Sequence, residues 1–157
     1  MTQNMTSWLS ENQYIITNDK GKINISILHK YLSEVSYWSR GIPFEIVKKA
    51  VENSICFSLL SPSGEFVGFA RMITDSATFG YLADVFVLDE HKGKGLGKWL
   101  IEIIMSYPEF RMLRNWFLYT KDAHSLYEKF GWQKIKPLEH SEKAMVKSLL
   151  PFELYGS

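Results

Sequence analysis

A single cysteine, Cys56, rules out an internal disulfide, and a lone thiol inside an apolar run suits a reducing compartment. No apolar run approaches the roughly 20 residues that a membrane-spanning helix requires. The stretch from Met1 to Glu11 is polar apart from Trp8 and Leu9 and lacks the apolar middle of a secretory leader. Formal net charge is only +1, so there is no broad basic field for nucleic acid or an anionic membrane. Internal repeats, low-complexity tracts and linkers are missing, and no spacing of His, Cys or carboxylate residues suggests a metal site. These absences make a soluble cytoplasmic protein, with no nucleic-acid, membrane or metal partner, the expectation.

What is present is a chain of 157 residues, enough for one domain over 1–157 with a real core and a loose polar segment over 1–12. Aromatic residues reach 15%, which suggests aromatic-lined clefts as well as core. Tyr14 to Thr17 is a short β-favouring run closed by the turn signal Asn18-Asp19-Lys20-Gly21. Asn24 can cap a helix running to about Ser36, with Ile25, Leu28, Leu32 and Val35 on one face. Gly41-Ile42-Pro43 breaks it and starts a second helix striped by Phe44, Val47 and Val51.

Strands are expected over Ile55 to Leu60, Phe66 to Thr74 and Thr78 to Leu88, joined by turns at Ser61-Pro62-Ser63-Gly64 and Asp75-Ser76. They should be antiparallel neighbours. A helix over Leu96 to Met105 and a strand over Arg114 to Thr120 complete a crossover, so that last strand should run parallel to the one before the helix. Ala123 to Phe130 reads as a short helix stopped by Gly131. Trp132 to Ile135 and Ala144 to Leu149 look like a closing antiparallel pair. The fold class is therefore α/β (α+β): a mixed, mostly antiparallel sheet with helices on both faces.

The stretch Asp89-Glu90-His91-Lys92-Gly93-Lys94-Gly95-Leu96-Gly97-Lys98 lies at the strand-to-helix joint. Glycines there let backbone amides approach a ligand, and the helix start behind them offers unpaired N–H groups and a positive dipole end, a setting for phosphate. A nucleoside-triphosphate loop needs glycine at position 92, which is Lys92, and Ser or Thr at 99, which is Trp99. A dinucleotide loop needs its third glycine at 98 or 100, which are Lys98 and Leu100. Both readings fail.

On these residues the chain resembles the GNAT superfamily, the Gcn5-related N-acetyltransferases, whose loop is written R/Q-x-x-G-x-G/A. Lys92-Gly93-Lys94-Gly95-Leu96-Gly97 stands on it, after Val85-Phe86-Val87-Leu88-Asp89-Glu90. Lys92 replaces the usual Arg or Gln, which keeps a charge without the planar fork, and Asp89 stands where proline is common. About 30 residues on, Asp122-Ala123-His124-Ser125-Leu126-Tyr127-Glu128-Lys129-Phe130-Gly131-Trp132 fits the family's Y-x-x-x-G-aromatic run, with Asp122 where Asn is common. The likeness runs from about Tyr14 to Leu149 and implies a sheet of six to seven strands with a central splayed parallel pair.

By that resemblance the chain transfers acetyl from acetyl-CoA, without a metal, to a primary amine. Backbone groups of Phe86 and Val87 would meet the pantetheine arm. Lys92, Gly93, Lys94, Gly95, Leu96, Gly97 and Lys98 would hold the pyrophosphate, and Asp122 would lie near the arm. An N-cap role for Asp122 is the plainer reading. Tyr127 resembles the family's general acid. For a base, Asp84 comes first, because alternation puts it on the face of Phe86, followed by Asp75 and Glu45. Arg71 could instead meet Asp84 as a strand neighbour, making the pair structural. Tyr37, Trp38 and Arg40, between the early helices where the family builds its acceptor site, and Arg71 are the substrate-side candidates. His29 should pack; His91 and His124 should be surface residues. Cys56 lies away from both motifs, which argues against a covalent acetyl-enzyme. The acceptor is open between a small amine, which charge and aromatic content favour, and a protein amine; the assembly is open too, a homodimer being one form. A CoA-binding regulatory module without turnover and a carrier of longer acyl groups are the alternatives.

Overall fold

A computed structural model of the chain describes residues 4–135, Met145, Lys147 and 151–156. Six strands form one sheet in sequence order: β1 Ser7–Leu9, β2 Ile15–Thr17, β3 Ile55–Leu60, β4 Phe66–Thr74, β5 Phe79–Val87 and β6 Asn115–Leu118. Every neighbouring pair is antiparallel except β5 and β6, which run parallel. The crossover between those two is helix α3, Leu96–Met105, as the long connection of a parallel pair requires. Helices α1 (Ile25–Lys30) and α2 (Phe44–Glu52) precede β3, and two short helices follow β6: α4, His124–Glu128, and α5, Pro151–Tyr155.

The strands alternate, so each face of the sheet has its own core. On one face Ile16, Phe57, Leu59, Ala70, Met72, Leu82 and Val87 meet Leu96, Leu100, Ile101 and Ile104 of α3. The spacing of those four α3 residues is that of one helix stripe. On the other face Cys56, Leu60, Phe66, Phe69 and Phe86 meet Leu28, Leu32 and Val47 of the first two helices. Among the described residues no helix is long and apolar enough to cross a membrane.

Several expectations change. Within the segment expected to be loose over 1–12, Ser7–Leu9 is a strand: β1 pairs with β2 from Ser7↔Thr17 to Leu9↔Ile15, and Trp8 packs on Phe57 and Tyr107 at 6.3 and 6.1 Å between ring centroids. The first helix does not run as one α-helix to Ser36. It becomes π-helical over Tyr31–Val35, where Ser36 N–H reaches back to Tyr31 O at 2.9 Å. Ser33 and Ser36 hydroxyls donate to His29 O and Leu32 O, the back-bonding that loosens a helix. The wider turn rotates Val35 off its stripe, leaving it 56% exposed while Leu28 and Leu32 are buried. Residues 132–135 form no strand, and most of 144–149 lies outside the described residues.

Candidate active site

The site is built where two parallel strands part. β5 and β6 pair from Phe79↔Asn115 to Leu82↔Leu118, yet β5 continues to Val87. From Ala83 onward, its β6-facing edge has no strand partner among the described residues. On its other edge Leu88 N–H donates to Val67 O at 2.8 Å, and the register Gly68↔Val87 and Phe69↔Phe86 follows. In an antiparallel ladder hydrogen-bonded and non-hydrogen-bonded pairs alternate. Phe86 therefore turns its N–H and C=O toward Phe69, and Val87 turns its own into the gap. This corrects the expected backbone role of Phe86: Val87 offers free backbone groups and, two residues back, Val85 follows the same phase. Phe86 contributes its ring instead, stacked on Tyr31 at 3.8 Å and 10°.

Asp84 sits at the head of the gap. The ladder shifts between Phe69↔Phe86 and Arg71↔Ala83, so β5 carries one residue more than β4, a β-bulge. Asp84 takes φ +53°, in the left-handed region that Asp tolerates better than most residues. Arg71 Nε lies 2.5 Å from its Oδ2, and Trp38 Nε1–H donates to Oδ1 at 2.9 Å. Arg71 also donates to Ser54 Oγ at 3.1 Å. The side chains of Arg71 and Asp84 are only 16% and 9% exposed. The cross-strand pair anticipated as the structural alternative is thus present, with Trp38 added from the α1–α2 connection. The other two candidate bases are engaged elsewhere. Asp75 accepts from the N–H groups of Ala77, Thr78 and Phe79 and from the Thr78 hydroxyl, and these bonds hold its carboxyl well below the usual range. Glu45 is exposed on α2 beside Lys48 at 3.5 Å.

The glycine loop lies at the mouth of the gap. A 3-10 turn over Asp89–His91 leads into it, and Gly93 and Gly95 have φ +78° and +73°. A Cβ at either position would meet nothing within 4 Å, so the space beside the backbone is open. The first backbone bond of α3 runs from Trp99 N–H to Gly95 O at 3.0 Å. The amides before Trp99 are the unpaired donors of a helix start, with no side-chain cap to occupy them. Unpaired amides, an uncapped helix start and open space beside the glycines therefore lie together at this end of the gap. Lys92 pairs with Asp89 at 2.6 Å, and Lys98 lies 3.8 Å from Glu102, both on the surface. Lys94 turns back to Tyr14.

Tyr127 lies on α4 inside the α3-side core and is buried; burial first, and then the field of Tyr37, push its phenol up to about 12. Among the described residues its hydroxyl has no hydrogen-bond partner. Asp122 is exposed and does not cap α4: Ala123 takes the cap position, and its N–H donates to Thr120 Oγ1 at 3.0 Å. Asp122 instead belongs to a group of charges around Tyr31. Burial raises the Tyr31 phenol, Lys92 opposes that shift, and Asp89 and Asp122 add to it. Tyr31 is a site residue that the sequence did not disclose; its helical spacing reads as packing. Tyr37 accepts from Lys121 N–H at 2.7 Å and packs edge-on against Trp38, so this pair spans from the early helices to the segment before α4. Arg40 is exposed nearby in sequence. Among the described residues no group of three or more His, Cys, Asp or Glu side chains is placed to hold a metal ion.

Comparison with known proteins agrees with this arrangement. Residues 52–134 match the family described as an acetyltransferase (GNAT) domain. A Gibberella zeae protein, FG08082, provisionally named as an acetyltransferase, is 32% identical over 138 residues, covering 74% of this chain and 76% of its own. A crystal structure of a GNAT-family protein from Xanthomonas campestris, also provisionally named as an acetyltransferase, has a TM-score of 0.86 at 35% identity, covering 96% of this chain and all of the other. Glucosamine-6-phosphate N-acetyltransferase from Arabidopsis thaliana shares the fold at a TM-score of 0.56 and 17% identity, over 93% of this chain and 99% of its own. The match spans the gap, the glycine loop and the Tyr127 helix together, and the chain belongs to the GNAT family of acetyltransferases.

Proposed function

We propose that this acyltransferase moves the acetyl group of acetyl-CoA to a primary amine of a small molecule, by direct attack with both substrates bound. The carrying observation is the β5 edge beyond Leu82, which has no strand partner among the described residues, together with the uncapped amides of the glycine loop and the buried Tyr127 of α4. Acetyl-CoA supplies an activated acetyl thioester. Val87, with Val85, offers backbone groups to an extended pantetheine chain as a strand partner would. The loop amides and the positive end of α3 receive the pyrophosphate.

Tyr127 stays protonated through neutral pH, since its phenol lies at about 12. A thiol has a pKa of about 8.5, so complete proton transfer from this phenol to a thiolate runs uphill. Tyr127 therefore acts by donating a hydrogen bond to the leaving sulfur as charge develops. The acceptor presents the opposite problem. An alkylamine of pKa about 10.4 is only ~0.1% neutral near pH 7.4, a cost of about 4 kcal/mol. Asp84 already serves Arg71 and Trp38, so its role is to hold the bulge, and the ammonium proton leaves through water. Tyr37 and Trp38 form the aromatic wall on the acceptor side, where loss of hydration favours the neutral amine.

A thiol-release assay with acetyl-CoA across small polyamines, arylalkylamines, amine antibiotics and lysine peptides tests the reading. Thiol release with a small amine is expected. Acetyl-CoA binding without thiol release in the presence of any amine would overturn turnover, and release with lysine peptides alone would overturn the small-molecule acceptor.

A further inference from the structure

The three lysines of the glycine loop are not equivalent. Lys92 is neutralised by Asp89 and Lys98 faces Glu102. Lys94 has no acidic partner among the described residues. Its ammonium donates to the Tyr14 hydroxyl at 3.2 Å and lies 5.7 Å from the centroid of the same ring. Tyr14 immediately precedes β2, 80 residues away in sequence, and is 5% exposed within the α3-side core. Its hydroxyl is also 2.9 Å from Nδ1 of His91, whose ring meets it edge-on at 5.8 Å. His91 is thus half-buried and engaged, not the surface residue expected from the sequence.

A phenol oxygen that accepts from an ammonium has its own proton left to donate, and Nδ1 of a neutral His91 is the acceptor within reach. The chain of contacts therefore runs from Lys94 through Tyr14 to His91. It anchors both ends of the segment 91–94 to a buried residue that leads into β2. An ammonium has three donors and Tyr14 takes one, so two remain for a ligand, and Lys94 stands in the chain between Gly93 and Gly95, where the space beside the backbone is open. A neutral partner fixes the position of Lys94 without cancelling its charge.

We propose that Tyr14 is a positioning residue for the loop, its hydroxyl holding Lys94 as the loop's uncompensated cation for the phosphates of acetyl-CoA. The inference rests on the reading of the loop given under the proposed function. Tyr14→Phe keeps the ring in the core and its contacts with Lys94 and His91, and removes the hydroxyl alone, so it isolates the hydrogen bond.

The test is calorimetric titration of wild type, Tyr14→Phe, Lys94→Met and the double variant, with acetyl-CoA and with S-acetylpantetheine, which lacks the phosphates of CoA. Tyr14→Phe should weaken acetyl-CoA binding roughly five- to tenfold, the scale of one charge-assisted contact, and leave S-acetylpantetheine unchanged. In the Lys94→Met background the same substitution should have no further effect. A loss that persists there shows that the hydroxyl acts by another route, such as His91, and overturns the proposal. Unchanged acetyl-CoA affinity in Lys94→Met overturns it even if Tyr14→Phe fails to fold, since Lys94 is exposed. A wild-type chain that does not bind acetyl-CoA overturns the loop reading and this proposal together; wild-type binding with an unaffected Tyr14→Phe overturns this proposal alone.

Discussion

Replacing Asp84 separates a structural carboxylate from a catalytic one. Three terms set the cost of Asp84→Ala. Removing the acid leaves Arg71 nearly buried without its counter-charge, a loss of about 3–5 kcal/mol when one partner of a buried pair is deleted. The pair's exposures of 16% and 9%, together with the Ser54 contact that Arg71 keeps, place this case near 3 kcal/mol, the lower end of that range. Trp38 Nε1–H loses its acceptor, about 1 kcal/mol for a half-buried donor. Alanine must also take the left-handed backbone of position 84, about 1 kcal/mol more. The sum is about 5 kcal/mol, a large part of the stability of an ordinary domain.

Asp84→Asn tolerates the same backbone and still offers Trp38 an oxygen, so it should lose only about 3 kcal/mol. Asp84→Gly removes the backbone strain and falls between them. For a chain of this length that predicts a melting-temperature drop of about 6–12 °C for Asn and more for Ala. Denaturant midpoints and thermal melts of the three variants measure the order Asn, Gly, Ala. The pH–rate profile of folded Asp84→Asn should keep the wild-type shape. An Asn variant that melts with wild type and loses one limb of the profile would refute this reasoning and return Asp84 to the role of base.

Other substitutions probe the remaining parts of the site. Gly95→Glu places a side chain at φ +73° and a carboxylate in the phosphate space, so acetyl-CoA affinity should fall at least about a hundredfold by calorimetry; unchanged affinity removes the loop assignment. Tyr127→Phe should lower turnover about a hundredfold with little change in acetyl-CoA affinity, and wild-type turnover at every pH excludes the phenol as the donor to the leaving sulfur. Burial pushes the Cys56 thiol up to about 11. The fold therefore favours the neutral thiol: its contribution is complete below about pH 9 and is lost as pH rises toward 11, about 2–3 kcal/mol by linkage. Alkaline denaturation of wild type against Cys56→Ala measures that difference; equal slopes over this window would show that the thiol is not the source.

Periodicity locates β3 to β5 and the three longest helices, where alternation or a helical stripe repeats; β2, only three residues long, is marked by its β-favouring run and the turn signal after it, and β6 by the crossover it closes. Shorter or irregular elements leave no such trace. β1 is three residues with only Trp8 and Leu9 apolar, and it is held by pairing with β2. The π-helical turn is hidden because Ile25, Leu28, Leu32 and Val35 fit an ordinary α-helix equally well; only the backbone shows that Val35 leaves the stripe. The loop and Tyr127 were legible as local motifs. Trp38 stands out only through the family resemblance, while Tyr14 and Tyr31 come from distant positions, and nothing local distinguishes an aromatic that packs from one whose polar tip reaches a charged neighbour.

The bulge at Asp84 explains why alternation both succeeds and fails along β5. Without it Leu82, Asp84 and Phe86 would share one face. Leu82 instead belongs to the α3-side core, and Phe86 to the core under the first helices. The extra residue reverses the phase, so Asp84 and Phe86 do share a face, though not the one Leu82 occupies. The reversal turns Asp84 toward Arg71 and Trp38 and lays Phe86 against Tyr31. It also returns Val87 to the α3 side, next to the start of the glycine loop. Continued pairing with β6 would need an unbroken register, and the described pairing ends at Leu82, one residue before Ala83 where the register breaks. One residue in the left-handed region thus coincides with the end of the described β5–β6 ladder, beyond which the β5 edge has no strand partner among the described residues, and ties Trp38 to that edge. An Asp in the middle of an otherwise apolar strand is the sequence trace of that device.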